Sequence, residues 1–229
     1  MRLGIEGRTV LVVGASSGIG REVTREFRVE GCKVLEVSRT KGILVDLMPS
    51  DGPQKLLEEI KDTPPDIIVH VIGGSQGITD PLSTSWDWQK VWRLNIGISH
   101  DINRAFIPLM QRNKWGRIIH LSSNAPRVGT GYCPYTSAKA ALEGYVKTMS
   151  REFSKDGVII TAVAPGIVHT PGRYFAKLDS KEQEDYFNRY IPIHRFGRAE
   201  EVAKVIAFLA SEHAAYMSGS IVSIDGGAR

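Results

Sequence analysis

Short apolar runs alternate with amphipathic segments along most of the chain. The runs are rich in valine and isoleucine and carry few polar residues, which is typical of strands buried on both faces of a parallel sheet. We predict strands over residues 9–13, 33–37, 43–45, 66–72, 117–121, 157–163 and 220–224. Helical periodicity between the strands predicts helices over residues 19–30, 54–61, 98–112, 135–153 and 199–209, with another that Ser85 caps and that runs through Trp92.

The order of these elements predicts the class of fold. Strands that alternate with helices indicate an α/β protein with a doubly wound parallel sheet, here of seven strands. No internal repeat, linker or low-complexity stretch divides the chain, so we predict one domain over residues 1–229. Residues 172–195 combine aromatic and charged side chains behind glycine and proline. This segment could form a small substrate lid or a plain pair of surface helices.

The connection between the second and third predicted strands is unusually short. Only residues 40–42 separate the polar end of the second strand from the third strand. Parallel neighbours ordinarily need a crossover of about a dozen residues or more. Either these two runs are not adjacent parallel strands, or the crossover helix has been lost and the chain makes a tight reversal.

A glycine-rich turn follows the first strand directly. It reads Gly14-Ala15-Ser16-Ser17-Gly18-Ile19-Gly20 and leads into a predicted helix. Glycines let the backbone turn sharply and approach a pyrophosphate, and a helix N-terminus supplies free N–H groups. The turn therefore predicts a dinucleotide-binding site, and the alternative of an ordinary tight turn is the weaker interpretation.

The end of the second strand carries the signal for the type of dinucleotide. An acidic residue here would bind the adenosine ribose hydroxyls, whereas an arginine accommodates a 2′-phosphate. The chain has Ser38 and Arg39 at this place, with Lys41 close by. These residues predict NADP(H) rather than NAD(H), unless Arg39 is only a solvated surface residue.

A tyrosine and a lysine lie one helical turn apart at the start of the helix after the fifth strand. Tyr135 and Lys139 share one face of this helix. A nearby ammonium favours the ionised form of a phenol, so the pair could donate or accept a proton. A serine at the end of the preceding strand could hydrogen-bond a substrate oxygen beside the tyrosine. Taken alone, the pair could also be a simple surface contact.

Composition and charge narrow the remaining possibilities. The protein has 229 residues, 42% hydrophobic and 24% charged, with a net charge of +4 spread along the chain. A spread of this kind gives little support to nucleic-acid binding. The two cysteines form neither a metal-ligand spacing nor a disulfide framework, so we predict no metal site. Neither a signal peptide nor a membrane-spanning run is recognised, and we expect a cytoplasmic protein without membrane contact.

The sequence resembles the classical short-chain dehydrogenase/reductase family over nearly its whole length. The residues that carry the resemblance are the turn at 14–20, Asn95, Ser123, Tyr135 with Lys139, Pro165-Gly166 with Thr170, and Ser218-Gly219 with Asp225-Gly226-Gly227. The resemblance implies a single-domain Rossmann fold that interconverts a carbonyl and a secondary alcohol by hydride transfer with NADP(H). A homotetramer, or a homodimer, is implied as well.

The resemblance also implies the roles of individual residues. Tyr135 is the general acid or base, Lys139 lowers its pKa, and Ser123 polarises the carbonyl. Asn95 holds a water that links Lys139 to solvent. Cofactor contacts are implied for Gly14, Ser16, Ser17, Gly18, Ile19, Gly20, Ser38, Arg39, Asp46, Leu47, Gly73, Asn95, Tyr135, Lys139, Pro165, Gly166, Ile167 and Thr170.

Three features depart from the family pattern. The family's Asn-Asn-Ala-Gly reads His70-Val71-Ile72-Gly73 here, and we interpret His70 as a core histidine with one hydrogen bond. The helix between strands two and three is missing. The loop before Tyr135 is one residue short, so the strand pattern indicates Ser123 as the catalytic serine and the spacing indicates Ser122.

The most direct functional interpretation is a carbonyl reductase or alcohol dehydrogenase acting on a small molecule. A dinucleotide-binding regulator or scaffold is the alternative from another class, and a sugar-nucleotide epimerase or dehydratase would need a larger C-terminal domain. Oxoacyl-thioester, steroid, sugar and small-ketone substrates all stay open. Cations near the expected mouth suggest an anionic substrate group, namely Arg127, Arg173, Lys177 and Arg195.

Overall fold

The computed structural model of the chain describes residues 2–170 and 178–228. Its strands are β1 (Thr9–Val13), β2 (Lys33–Ser38), β3 (Ile43–Leu44), β4 (Ile67–His70), β5 (Gly116–Leu121), β6 (Val158–Pro165), β7 (Val168–His169), β8 (Gly197–Arg198) and β9 (Ile221–Ile224). Its helices are α1 (Gly18–Val29), α2 (Gly52–Glu59), α3 (Ser85–Trp92), α4 (Ile98–Arg112), α5 (Ala125–Val128), α6 (Cys133–Phe153), α7 (Ser180–Tyr190) and α8 (Ala199–Leu209).

Seven strands form one parallel sheet within the described residues. Their order is β3-β2-β1-β4-β5-β6-β9, and every pair of neighbours is parallel. The chain winds outward from β1 in one direction and then from β4 in the other, which confirms the doubly wound α/β prediction. In sheets with such a reversal, here between β1 and β4, ligands bind in a crevice at the carboxyl ends of the strands.

Alternate strand residues pack against helices on the two faces of this sheet. Val10 and Val12 belong to a core that includes residues of α1 and α8, such as Phe27 and Ile206. Leu11 faces the opposite core, to which α2, α4 and α6 contribute. Because both faces are covered, the strands are apolar almost throughout, as the sequence pattern predicted.

A tight turn joins β2 to β3, and the two strands are adjacent and parallel. Ser38 organises the turn, since its Oγ accepts the N–H groups of Thr40 and Lys41 and donates to the Lys41 carbonyl at 2.7 Å. Gly42 has a φ of +73°, and a Cβ there would lie 2.4 Å from the Glu36 carbonyl oxygen. The crossover helix is therefore absent, and a glycine and a serine make the reversal possible.

A π-helical segment, Arg93–Gly97, joins α3 to α4. Such segments are uncommon and occur frequently at functional sites.

The predicted N-cap of α3 was off by one residue, because Thr84 rather than Ser85 accepts the Asp87 N–H. No helix among the described residues is long and apolar enough to cross a membrane.

Candidate active site

The glycine-rich turn lies at the carboxyl end of β1, beside the crevice. The Gly14 N–H donates to the Val37 carbonyl at 2.9 Å, and Gly14 has a φ of +96°. A Cβ at Gly20 would lie 2.1 Å from the Gly14 carbonyl oxygen, so no larger residue fits there. Ser17 precedes α1 without a side-chain hydrogen bond to the helix. The first N–H groups of α1 therefore stay available to an anion, and the cradle suits a pyrophosphate.

The loop after β6 closes against the same turn. A Cβ at Gly18 would lie 2.8 Å from Thr170 Cγ2, which brings the turn and Thr170 into direct contact. Pro165 ends β6, and the Gly166 N–H donates to the Ile224 carbonyl at 3.0 Å. Residues 165–170 thus form a second wall of the crevice.

Positive charge lies beyond the carboxyl end of β2. Arg39 is exposed and has no ion pair among the described residues. Glu36, the nearest acid, is buried and pairs with Arg28 on α1, while the Lys41 ammonium lies 3.8 Å away. Ser38 is buried and its hydroxyl serves the tight turn. Arg39 is therefore an exposed cation without a carboxylate partner at this end of the crevice, and it could meet a phosphate there.

Tyr135 and Lys139 project from one face of α6 toward the end of β5. Lys139 is 2% exposed, and its Nζ donates to the Leu121 carbonyl at 2.7 Å. The ammonium lies 5.8 Å from the centre of the Tyr135 ring. Burial lowers the pKa of Lys139 to about 7. In its protonated form Lys139 places a positive charge beside the Tyr135 ring, an arrangement that could serve proton transfer.

Asn95 lies in the middle of the π-helical segment and is 1% exposed. Its Nδ2 donates to the carbonyls of Val91 and Gly74, and its Oδ1 accepts the Gly74 N–H at 3.2 Å. A Cβ on Gly73 would lie 2.8 Å from both Asn95 Oδ1 and Lys139 Nζ. Gly73 therefore lets the asparagine, the lysine and the end of β4 meet.

The two serines after β5 have different partners. Ser122 is 4% exposed and its Oγ donates to Glu143 Oε1 at 2.9 Å. Ser123 is half-buried, and its Oγ accepts the Ala125 N–H at 3.2 Å. A hydroxyl that accepts a backbone N–H keeps its own proton for a substrate oxygen. The geometry therefore favours Ser123, in agreement with the strand pattern.

A buried polar cluster lies beneath the site. His70 on β4 stacks on His120 of β5, with ring centres 4.7 Å apart. Asn103 on α4 connects them, since its Oδ1 lies 2.8 Å from His70 Nε2 and its Nδ2 lies 3.3 Å from His120 Nε2. Burial lowers the pKa of His70 to about 4 and that of His120 well below its ordinary value. Both rings are neutral near pH 7.

Two of the four cations expected at the mouth, Arg127 and Arg195, form ion pairs with carboxylates of the protein. Arg127 pairs with Glu143 at 3.4 Å and donates to Ser223 Oγ. Arg195 makes two hydrogen bonds to Glu201, which hold the pKa of that carboxyl at about 2. Arg173 and Lys177 lie outside the described residues, as does most of the base of the predicted lid.

Comparison with known sequences identifies relatives along the whole chain. A family profile described as Enoyl-(Acyl carrier protein) reductase matches residues 45–229. The 3-oxoacyl-[acyl-carrier-protein] reductase FabG of Thermotoga maritima is 33% identical over 97% of this chain and 98% of its own. The FabG of Pseudomonas aeruginosa is 30% identical over 98% of each chain.

Solved structures give the same result. The L-sorbose reductase of Gluconobacter frateurii, complexed with NADPH and L-sorbose, is 27% identical with a TM-score of 0.91, over 99% of this chain and 98% of that one. A 3-oxoacyl (acyl-carrier-protein) reductase from Agrobacterium tumefaciens with NADP bound is 26% identical with a TM-score of 0.91, over 99% of this chain and 96% of that one. The crevice, the glycine cradle and the tyrosine–lysine pair are thus accompanied by whole-chain similarity to enzymes that reduce C=O groups. The protein belongs to the classical short-chain dehydrogenase/reductase family and is an NAD(P)-dependent oxidoreductase acting on C=O or CH–OH groups.

Proposed function

We propose that the protein is an NADPH-dependent carbonyl reductase in which Tyr135 donates a proton to the substrate oxygen. The observation that carries the proposal is the buried Lys139 side chain, whose Nζ lies 5.8 Å from the centre of the Tyr135 ring. A dinucleotide-binding regulator or scaffold would need no such pair, and that alternative is not favoured.

Each neighbouring side chain has a defined part in this proposal. The Ser123 O–H donates to the carbonyl oxygen and orients it toward Tyr135. Lys139 stabilises the phenolate that forms when the proton leaves, and Asn95 keeps the end of β4 beside the lysine. A bound nicotinamide dinucleotide supplies the hydride. In the reverse direction Tyr135 removes the alcohol proton, by microscopic reversibility.

The first test is binding and turnover of the wild-type protein. Nicotinamide fluorescence follows titration with NADPH and NADH, and loss of NADPH absorbance follows reduction of acetoacetyl-CoA or L-sorbose. We propose a 3-oxoacyl thioester as the substrate class, because the curated relatives described above are 3-oxoacyl reductases. If the protein reduced L-sorbose but not acetoacetyl-CoA, the proposed substrate class would be sugars instead. Failure to bind either dinucleotide would refute the function.

Assembly as a homotetramer through α4 and α6 is part of the same proposal.

Arg39 is the residue that we expect to select NADPH. The Arg39→Ala variant should bind NADPH at least about tenfold more weakly and NADH as before, because a charge-assisted contact to the 2′-phosphate is worth about 1.5–3 kcal/mol. Dissociation constants from the fluorescence titration measure this. Lys33→Ala, which removes an exposed cation from the other end of β2, is the matched control. Equal weakening of both dinucleotides would contradict the role of Arg39.

The two serines can be separated by substitution. Ser123→Ala should lower kcat about 100-fold, since one hydrogen bond to developing charge is lost. Ser122→Ala should keep most of the turnover and lose thermal stability instead, because it leaves the partly buried Glu143 Oε1 without its donor. Steady-state kinetics and thermal melting of both variants give the comparison. The opposite ranking of kcat would assign the role to Ser122.

A further inference from the structure

The Arg93 side chain is fastened to a short stretch of backbone after β3. Its Nε donates to the Met48 carbonyl at 3.3 Å, and its Nη2 donates to the carbonyls of Leu47 at 3.3 Å and Pro49 at 3.4 Å. Nη1 is paired with Asp101 on α4 at 2.5 Å. One guanidinium therefore binds three consecutive carbonyls and is itself held by a carboxylate, a geometry that the planar fork of arginine allows.

The stretch that Arg93 holds, residues 46–49, is anchored by Leu47, which is buried in the core shared with α2 and α4, but it has few other polar attachments. The β3 strand before it is only two residues long, and the crossover helix that would brace it is absent. The Val45 N–H donates to the Ser38 carbonyl at 3.2 Å, and the Met48 N–H donates to Asp46 within the stretch. The Pro49 carbonyl also accepts the Gly52 N–H at 3.1 Å, and Gln76 Nε2 donates to Met48 Sδ at 3.7 Å. Arg93 adds three contacts to consecutive carbonyls of residues 46–49.

The position of residues 46–49 relates them to the dinucleotide crevice. They follow the carboxyl end of β3, next to β2 and one strand further from the glycine-rich turn. In doubly wound folds the adenosine half of a dinucleotide lies over the carboxyl end of β2, so its adenine reaches the neighbouring segment. The backbone that Arg93 holds therefore lies where the adenine end of a bound dinucleotide would be expected.

Arg93 also begins the π-helical segment that carries Asn95. Asn95 is bound to Gly74 at the end of β4, close to Lys139. One five-residue segment thus contacts residues 46–49 through Arg93 and the catalytic end through Asn95. Asn95 is held by the carbonyls of Gly74 and Val91, and these contacts do not involve the Arg93 side chain.

We propose that Arg93 is a positioning residue for the adenine end of the cofactor site, which replaces the support of the missing crossover helix. The inference rests on the proposed binding of NADP(H). Arg93 itself touches neither substrate nor cofactor in this scheme. Its loss should loosen residues 46–49 and weaken binding of the adenosine half, while the catalytic end keeps its geometry.

The test uses Arg93→Ala with adenosine 2′,5′-bisphosphate as a probe of the adenosine half. Calorimetric titration should show that the probe and NADPH each bind about tenfold more weakly, since several charge-assisted hydrogen bonds are lost. Hydrogen exchange should accelerate in residues 45–49 and stay unchanged in β5 and β6. At saturating NADPH, kcat should stay within about twofold of the wild-type value.

Matched variants make the result specific. Arg104→Ala removes an exposed arginine of α4 that does not contact residues 46–49, and it should bind the probe like wild type. Asp101→Asn removes the ion pair but leaves the carbonyl contacts, and it should weaken the probe less than Arg93→Ala. If Arg93→Ala does not fold, Arg93→Lys takes its place. One ammonium cannot bind all three carbonyls, so Arg93→Lys should bind the probe more weakly than wild type, but with a loss of less than about tenfold.

The inference is overturned if Arg93→Ala binds the probe within twofold of wild type, or if exchange accelerates equally throughout the sheet. A wild-type protein that binds neither NADPH nor the probe would refute the proposed function itself, and this inference with it. Weaker probe binding together with local exchange in residues 45–49 supports it.

Discussion

Replacing Tyr135 by phenylalanine should lower turnover by about 1000-fold while NADPH binding and folding are kept. General acid catalysis by a positioned side chain contributes about 10²–10⁴-fold. The phenylalanine ring fills the same space on α6 but has no proton to give to the substrate oxygen. Steady-state kinetics with NADPH in excess, together with a fluorescence titration of the variant, separates the loss of chemistry from a loss of binding.

Tyr132→Phe is the control for this result. Tyr132 precedes α6, is 50% exposed and also loses only a hydroxyl on substitution. Its turnover should stay close to that of wild type. A kcat for Tyr135→Phe near the wild-type value would show that another group protonates the substrate, and the assignment of the acid would be wrong.

Acid should destabilise the protein well above the pH at which carboxylates are protonated. The pKa of His70 is about 4 in the folded protein and about 6.5 when the residue is exposed by unfolding. The unfolded state therefore binds more protons between these values, and stability is lost as the pH falls through this window. His70 alone accounts for about 3 kcal/mol between pH 6.5 and 4, of which about half is lost by pH 5.

Urea unfolding at pH 6.5 and pH 5 measures the effect. This window lies below the pKa of Lys139, about 7, and above the ordinary range of the carboxylates, so the buried histidines dominate it. His120 adds to the loss in the same direction. His70→Asn should flatten the dependence, whereas His213→Asn, at an exposed position, should leave it unchanged. A wild-type midpoint that does not move between the two pH values would contradict neutral burial of His70.

The sequence pattern was sufficient for the main elements because the apolar runs of the strands and the helical periodicity between them are both strong here. The predicted helices over residues 98–112 and 199–209 have the bounds found for α4 and α8. The predicted helix over residues 54–61 begins earlier, at Gly52, since Pro53 is accommodated in the first helical turn. The two-residue strands β7 and β8 were not predicted, because two residues carry no periodicity.

Parts of the site depend on contacts that no local pattern contains. Asn95 was predicted from its motif, but the π-helical geometry around it was not, and its contacts with Gly74 join residues 21 positions apart in the chain. His70 was predicted as a core histidine with one hydrogen bond, and that is confirmed. The sequence did not predict its contacts with Asn103 and His120. The register of β4 on β5 places His70 beside His120 and could have indicated that pair.

The short β3 has a consequence for the protein's behaviour at high concentration. A long free edge of a sheet offers unpaired N–H and C=O groups to other chains, and proteins commonly avoid this with very short edge strands. β3 is one edge of the seven-stranded sheet and is only two residues long, although its Leu44 side chain is 66% exposed. The turn that shortens the adenine side therefore also limits edge-to-edge aggregation at this end of the sheet.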